Sequence, residues 1–482
     1  MSRQRKFRAS LSMLLTVVLI SLYTAAEKPD LLAADSDVSN PVHDHSVCPL
    51  STKEMLREKT YGGPGDDRAF CMIPTDNHGF LVVGSSRSFN GNDTAAWVVW
   101  VDSNGNMIWN KTYIENEGSE FRNALEVTDG FLLVGNTFFS SGDASAWIVK
   151  IDRQGKILWN KTFRSEGLNK ACSAAKTPDG FVIVGFSNSL KNDGSYAWML
   201  KIDMEGNSIW NKTYSDLGNS AFRAILVTPR GDFVVAGYCD SFNSGNYDFW
   251  LIKTDPNGTG VWSKTFGGSE SDKAYAIAGS TDGYVIAGET HSSQQADAFV
   301  VKTDFDGRLV WNNTYGGADF DVANAIVSTM SGGYMIVGFT FSYGEGQRDF
   351  WFFEINDLGD LAWSRTYGRE GFEEAYAAVE VGEHDFALGG WTNSIGEGSY
   401  DFYIVETDIV GSSDKFDLGT TRLLSLFLFG TSAILLLFFW FQQRGIEPVS
   451  ETDETDPEIA NVMDVCRFLE RSSQFRLVWR TT

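Results

Sequence analysis

The sequence predicts an all-β fold: a seven-bladed β-propeller of four-stranded blades, followed by a single C-terminal transmembrane helix. Three observations lead to this prediction. A short aromatic motif returns about every fifty residues, each repeat contains four strand-like segments, and an uncharged apolar run lies near the C-terminus.

The repeat is marked by the string Trp-x-Lys-Thr-aromatic, and successive Trp residues are 50, 51, 52, 49 and 52 positions apart. An earlier copy without Trp, Lys59-Thr60-Tyr61, brings the number of repeats to seven. We expect the repeat Trp side chains to be structural and buried in the core. They are Trp109, Trp159, Trp210, Trp262, Trp311 and Trp363.

Each repeat contains four strand-like segments, which the fifth repeat shows at residues 274–277, 284–287, 299–303 and 309–311. The third segments are apolar on both faces, as expected when neighbouring sheets cover them on both sides. The first segments carry small residues, such as Ala274 and Ala276, which suits the crowding near a central axis. Four-stranded units of this length are typical of propeller blades.

An Asp-x-x-Gly sequence connects the third segment to the fourth, as in Asp304 to Gly307. Asp at the first position and Gly at the fourth are favoured in type I turns. Asp306 inside this copy also allows a calcium loop, but the other copies lack a second acid, so the pattern favours a turn over a metal site.

The two ends of the repeat region predict how the ring closes. The seventh repeat ends with residues 401–408 and has no Trp-x-Lys-Thr strand, whereas residues 54–61 supply a spare outer strand at the N-terminal end. Pairing of these two segments would leave no open sheet edge.

Residues 53–408 resemble the secreted β-propeller repeats of archaea and bacteria. The resemblance is carried by Tyr315-Gly316-Gly317 with Asp321 and Ala323, and by Asp248-Phe249-Trp250 with Lys253. It implies a propeller fold and a surface location, and no specific activity. The Asp-x-x-Gly-x-x-x-Trp portion is also similar to the repeat of quinoprotein dehydrogenases, which hold pyrroloquinoline quinone in an eight-bladed propeller, whereas this sequence has seven repeats.

The segments outside the repeats predict a single-pass type I membrane protein with an extracellular propeller. Residues 1–26 have the basic, apolar and small-residue regions of a signal peptide, either cleaved or retained as an anchor, and 27–52 form a flexible leader. Residues 409–422 form a linker, 423–441 an uncharged transmembrane helix, and 442–482 a cytoplasmic tail.

Composition excludes some functions. The formal net charge of -24 disfavours nucleic-acid binding, which needs a basic surface. Five dispersed cysteines do not make a disulfide framework, and no catalytic or cofactor motif is present. His43 and His45 flank Asp44 in the leader, where a disordered segment is favoured over a metal site.

In a propeller, the fourth-to-first and second-to-third strand connections share one face, which we call the loop face; the opposite side is the turn face. The loop face is rich in acids and is a candidate binding face for cations, basic partners or glycans. A solvated acidic surface, or acids that hydrogen-bond turn amides, are the alternatives. The candidates are Asp67, Glu120, Asp272, Asp321, Glu373, Asp248, Asp297, Asp349 and Asp401.

Six Asn-x-Ser/Thr sequons are candidate glycosylation sites, four of them at one equivalent position after the repeat Trp. The alternative is that the repeat itself dictates Asn at that position. The six are Asn92, Asn110, Asn160, Asn211, Asn257 and Asn312.

These features favour a membrane-anchored surface scaffold for recognition, adhesion or envelope structure, with a protein, glycan or cation as ligand. The alternatives are a propeller enzyme, quinoprotein-like or glycan-active, and a sensor that signals through a cytoplasmic partner.

Overall fold

The computed structural model describes residues 55–408, apart from 77, 92, 165–168, 189–193, 215–217, 241–245, 292–294 and 383–384. Within these residues, 28 strands form seven four-stranded antiparallel sheets, which confirms the predicted seven-bladed propeller. The predicted signal peptide, leader, linker, transmembrane helix and tail lie outside the described residues. None of the described residues belongs to a helix that is long and apolar enough to cross a membrane.

Each blade is a simple meander of four strands, numbered outward from the axis in the first six blades. Blade one contains β2 (Asp67–Pro74), β3 (Phe80–Ser86), β4 (Ala95–Val101) and β5 (Met107–Tyr113). Blade two contains β6 (Gly118–Val127), β7 (Gly130–Phe138), β8 (Ala144–Asp152) and β9 (Ile157–Phe163). Blade three contains β10 (Asn169–Thr177), β11 (Gly180–Ser187), β12 (Tyr196–Ile202) and β13 (Ser208–Tyr214).

The remaining blades repeat this order. Blade four contains β14 (Ser220–Val227), β15 (Phe233–Asp240), β16 (Tyr247–Thr254) and β17 (Gly260–Phe266). Blade five contains β18 (Asp272–Gly279), β19 (Gly283–Thr290), β20 (Asp297–Asp304) and β21 (Leu309–Tyr315). Blade six contains β22 (Asp321–Ser328), β23 (Tyr334–Thr340), β24 (Asp349–Ile355) and β25 (Leu361–Tyr367). Blade seven contains β26 (Glu373–Gly382), β27 (Asp385–Thr392), β28 (Asp401–Asp408) and, as its outer strand, β1 (Met55–Tyr61).

The ring closes through its N-terminal strand, as the sequence predicts. β1 pairs antiparallel with β28, from Met55 opposite Thr407 to Tyr61 opposite Phe402. The Tyr61 hydroxyl also donates a 2.6 Å hydrogen bond to the Gly105 carbonyl of blade one. The closing strand therefore joins blade seven to blade one as well as completing its own sheet.

The core lies between adjacent blades and is built from the second and third strands, whose apolar residues are almost entirely buried. The third-strand Trp residues belong to this core; Trp97 and Trp147 are 0 % and 1 % exposed. The repeat Trp residues, by contrast, lie on the outer strands and are half-buried, so the prediction that they are buried core residues is wrong. Trp109, for example, donates from Nε1 to the Arg153 carbonyl in a turn of the next blade, at 3.0 Å.

The Asp-x-x-Gly connections are turns, as predicted. The Gly105 amide donates to the Asp102 carbonyl at 3.0 Å, and Asp102 Oδ1 accepts from the amides of Asn104 and Asn106. Gly105 has φ of 71°, a left-handed conformation that favours glycine. Asp306, the extra acid of the copy considered for calcium, pairs with Arg308 at 2.7 Å.

Candidate functional site

The first strand of every blade faces a central cavity of about 630 Å³ on the propeller axis. A bulge follows the third residue of the aligned first strands, as between Ala69 and Cys71 in β2. Small third residues such as Ala69 and Ala274 are buried against the preceding blade, while Phe70 and Tyr275, which follow them, line the cavity. In β10, the residues on both sides of the third one, Lys170 and Cys172, line it. Two tiers of side chains, one before and one after the bulge, therefore form the cavity wall.

A second cavity of about 380 Å³ adjoins the first on the loop face; it is lined by residues of blades one and seven and by Arg348, from the β23–β24 connection of blade six. Phe70, Arg348, Glu374 and Tyr376 line both cavities, so the two are continuous. We call the smaller one the seam pocket, because it lies where the ring closes.

The combined lining has more cations than carboxylates. Its five cationic side chains are Arg68, Arg122, Lys170, Arg223 and Arg348. Its three carboxylates are Glu120, Glu289 and Glu374. This excess of positive charge contrasts with the net charge of -24 of the whole chain.

All three carboxylates are already paired with a cation. Arg122 donates two hydrogen bonds of 2.9 Å to Glu120, whose Oε1 also accepts from the Asn136 amide at 3.0 Å. Burial tends to raise the pKa of Glu120, but the Arg122 guanidinium outweighs it and keeps this pKa below its usual value. Lys273 pairs with Glu289 at 3.3 Å, and Arg348 pairs with Glu374.

Three of the lining cations have no carboxylate within ion-pair distance among the described residues. Arg68 is stacked over the ring of Tyr400 at 4.1 Å and over Trp391 at 5.1 Å. Arg223 donates to the Cys172 thiol at 3.7 Å and lies 5.4 Å from the Tyr275 ring. Lys170 lies 5.5 Å from the ring of Phe138. These cations contact aromatic and thiol groups, which form no ion pair with them.

The acids of the predicted binding face are largely buried. The candidate acids do lie at the starts of first or third strands on the loop face, but most of them are buried in the junctions between blades. Asp67, Asp272, Asp321, Glu373, Asp349 and Asp401 are at most 1 % exposed; Asp248 and Asp297 are half-buried. Glu120, at 7 %, lines the central cavity instead.

The buried acids hydrogen-bond the backbone of the connection beside them. Asp67 Oδ2 accepts from the Gly63 amide at 2.8 Å and from the Ser88 hydroxyl at 2.6 Å. Asp321 Oδ2 accepts equivalent bonds from Gly317 and Ser342 at 2.7 and 2.6 Å. The alternative that these acids bind turn amides is therefore the one that the structure supports, because a buried carboxylate needs such donors.

Four junctions bring two acids together against one glycine. Asp401 and Asp67 contact the space where a Cβ of Gly62 would lie, and the same relation holds for Asp248 and Asp272 at Gly267. Burial and the neighbouring Asp272 raise the pKa of Asp248 to about 6. Burial, together with Glu373, raises the pKa of Asp349 to about 6. The other two pairs are Asp297 with Asp321 at Gly316, and Asp349 with Glu373 at Gly368.

None of the described glycosylation candidates lines either cavity. Asn110, Asn160, Asn211 and Asn257 are exposed, Asn312 is half-buried, and Asn92 lies outside the described residues. Cys71, Cys172 and Cys239 are free thiols. In the described ranges, no group of three or more His, Cys, Asp or Glu side chains is arranged to hold a metal ion.

The cavity cations were not predicted from the sequence. Four of the five are on first strands, at the two positions that flank the aligned third residue, and Arg348 lies in the β23–β24 connection. The total charge of the residues at these two positions, added over all blades, would have indicated a basic cavity. The two positions are Arg68 and Phe70 in β2 and Lys170 and Cys172 in β10.

No family model matches this chain, and no curated protein matches its sequence. Several solved structures align with this chain over most of its length. Sqt1 from Chaetomium thermophilum, solved bound to the N-terminus of the ribosomal protein L10, is 12 % identical, covers 72 % of this chain and 98 % of its own, and has a TM-score of 0.43. PorZ from Porphyromonas gingivalis, a surface component of a type-IX secretion system, is 12 % identical, covers 74 % and 49 %, and has a TM-score of 0.43. The propeller domain of the Trilobed protease from Pyrococcus furiosus is 12 % identical, covers 72 % and 97 %, and has a TM-score of 0.39.

Proposed function

We propose that this protein is a membrane-anchored surface recognition propeller that binds an anionic ligand in its central cavity. The observation that carries the proposal is the excess of cations over carboxylates in the cavity lining, in a chain with a net charge of -24. The surface location rests on the predicted signal peptide and on the apolar run at 423–441.

A cavity lined by one sign of charge and enclosed by low-dielectric walls concentrates its field on a ligand of opposite sign. Arg223 and Lys170 have no carboxylate partner within the described chain, so an anion would gain charge-assisted hydrogen bonds without first breaking an ion pair. A cavity of about 630 Å³ is within the usual size range of small-molecule sites.

The lining also suits a ligand with rings or hydroxyl groups. Phe70, Tyr275 and Tyr376 present aromatic surface, and Asn123 brings an amide group to the same cavity. A small number of polar groups within an aromatic lining determines how a ligand is oriented and which charge it must carry. An anionic saccharide combines all of these properties.

Calorimetric titration of the full-length protein tests the proposal. The probes are a sulfated oligosaccharide and a neutral oligosaccharide of the same length. We expect binding of the sulfated probe only, with an affinity that falls as salt is raised. Arg223→Gln should weaken it about ten-fold or more.

The matched control is Arg308→Gln, which removes an equal charge from the turn face, where the Arg308 side chain is 71 % exposed. This variant should bind like the wild type. Equal binding of the neutral and the sulfated probe, or equal losses in the two variants, would contradict an anion site in the cavity.

A further inference from the structure

The seam pocket contains two guanidinium groups and one carboxylate. Arg68 and Arg348 both line it, together with Glu374. Glu374 is only 6 % exposed, pairs with Arg348, and accepts a 2.6 Å hydrogen bond from the Tyr376 hydroxyl. One positive charge in the pocket is therefore left without a counter-charge.

The uncompensated charge belongs to Arg68. In blade five the equivalent first-strand cation, Lys273, stands opposite Glu289 on the next strand and pairs with it. In blade one, Ser85 stands opposite Arg68. The position that supplies a carboxylate in one blade supplies a neutral residue in the other, so the Arg68 guanidinium lacks its counter-ion within the described chain.

Both guanidinium groups are held in place before any ligand arrives. The Asp67 amide donates to the Tyr400 carbonyl at 2.7 Å, which fixes Arg68 beside the Tyr400 ring on which it stacks. Arg348 lies 4.5 Å from the ring of Phe339, and its Nε is buried without an acceptor among the described residues. Stacking covers the flat face of a guanidinium and leaves its N–H edge to bind a planar oxyanion.

We propose that the seam pocket binds a singly charged oxyanion, the carboxylate of an acidic sugar residue, between Arg68 and Arg348. This proposal rests on the proposed function and identifies the ligand group and its subsite. A single negative charge balances the pocket, whereas a doubly charged phosphate would exceed its one spare positive charge. The rings of Phe70 and Trp391 and the Tyr376 hydroxyl provide surface and polar contacts for the sugar to which the carboxylate is attached.

Isothermal titration of the full-length protein with galacturonate tests the subsite, with galacturonate methyl ester and inorganic sulfate as comparison probes. We expect galacturonate to bind, its ester to bind at least ten-fold more weakly, and sulfate to bind more weakly than galacturonate. Arg68→Gln should reduce the affinity for galacturonate about ten- to a hundred-fold. Arg68→Lys, which keeps the charge but not the planar fork, should recover only part of the loss.

Thermal unfolding of each variant, measured in parallel, establishes that the fold is kept. If the wild type binds the sulfated oligosaccharide in an Arg223-dependent way while Arg68→Gln leaves galacturonate binding unchanged, the subsite is wrong and the proposed function stands. If the wild type binds no anionic probe, the proposed function itself fails. Sulfate binding as tight as galacturonate would overturn the assignment to a sugar carboxylate.

Discussion

Asp248 in blade four and Asp272 in blade five direct carboxylate oxygens at the same side of Gly267, the residue that connects the two blades. Asp272 Oδ2 accepts from the Gly268 amide at 2.8 Å, so one acid of the pair is held by the connection that separates them. Similar pairs occur at three further junctions of the ring. Glycine is required where two acids approach one backbone position this closely.

The first prediction is that Gly267→Ala destabilises the propeller and Gly268→Ala does not. A Cβ at Gly267 would overlap both carboxylates, whereas a Cβ at Gly268 has no atom within 4 Å. Overpacking of this kind costs about 1–3 kcal/mol in the free energy of unfolding, and the control should stay within about 0.5 kcal/mol. Urea titration of the two variants measures both values, and equal stability would contradict the contact.

The second prediction concerns pH. The pKa of Asp248 is raised to about 6, by burial first and then by Asp272 and Asp240, so its charged form is disfavoured in the fold. The contribution of Asp248 to stability is therefore complete in acid, where it is protonated, and is lost as pH rises from about 4, the pKa of an unfolded Asp, towards 6. Asp248→Asn should match the wild type near pH 4 and unfold at a higher temperature near pH 7. A constant difference in unfolding temperature between the two proteins across this range would disprove the linkage.

The third prediction compares two Trp residues of blade three. Trp198→Ala should cost about 3–5 kcal/mol, because Trp198 is 3 % exposed and packed between blades. Trp210→Ala should cost clearly less, because Trp210 lies on the outer strand and is half-buried. Denaturant unfolding ranks the two, and a larger loss at Trp210 would show that the outer Trp residues are the main core.

The fourth prediction concerns ring closure. Removal of residues 1–61 deletes β1 and exposes the edge of β28, so we expect a lower unfolding temperature and aggregation. Removal of residues 1–52 keeps β1 and is the control. If both truncations unfold at the same temperature, pairing between β1 and β28 contributes nothing to stability.

The fifth prediction is that the turn face lies nearest the membrane. β28 ends at Asp408 on that face, and the apolar run 423–441 begins shortly after it in the sequence. Large exposed apolar residues also concentrate there, including Met330 at 75 % and Leu358 at 72 % exposure. Asp319→Cys on the loop face should react faster with a bulky membrane-impermeant reagent on intact cells than Asp306→Cys on the turn face, with the wild type as background. Equal rates would reject this orientation.

The fold was predictable because each repeat of the sequence corresponds to one blade. The Trp-x-Lys-Thr spacing marks each outer strand, and its absence after residue 408 reveals the closure through β1. Burial of the junction acids was harder to predict. An Asp beside Gly-Gly is compatible with a solvated loop as well as with a buried turn, and only packing of the next blade distinguishes the two.

The cavity was hidden for the opposite reason. Arg68, Lys170 and Arg223 stand at positions where other blades place Glu120, Ala221 or Tyr275, so comparison of repeats shows no pattern there. The first strands meet around the propeller axis, so these unlike residues line one cavity, and the sum of their charges is the charge of that cavity. The residues that recur in every repeat therefore determine the propeller fold, whereas the residues that differ between repeats form the candidate binding site.

The pairing of β28 between β27 and β1 also determines how the propeller carries mechanical load. A ligand held on the loop face and an anchor attached beyond Asp408 would pull along the axis of β28. The hydrogen bonds to both neighbouring strands lie across that direction, so they are loaded together in shear and cannot open one after another. With such a ligand and such an anchor, the ring would transmit tension without unravelling from its C-terminal strand.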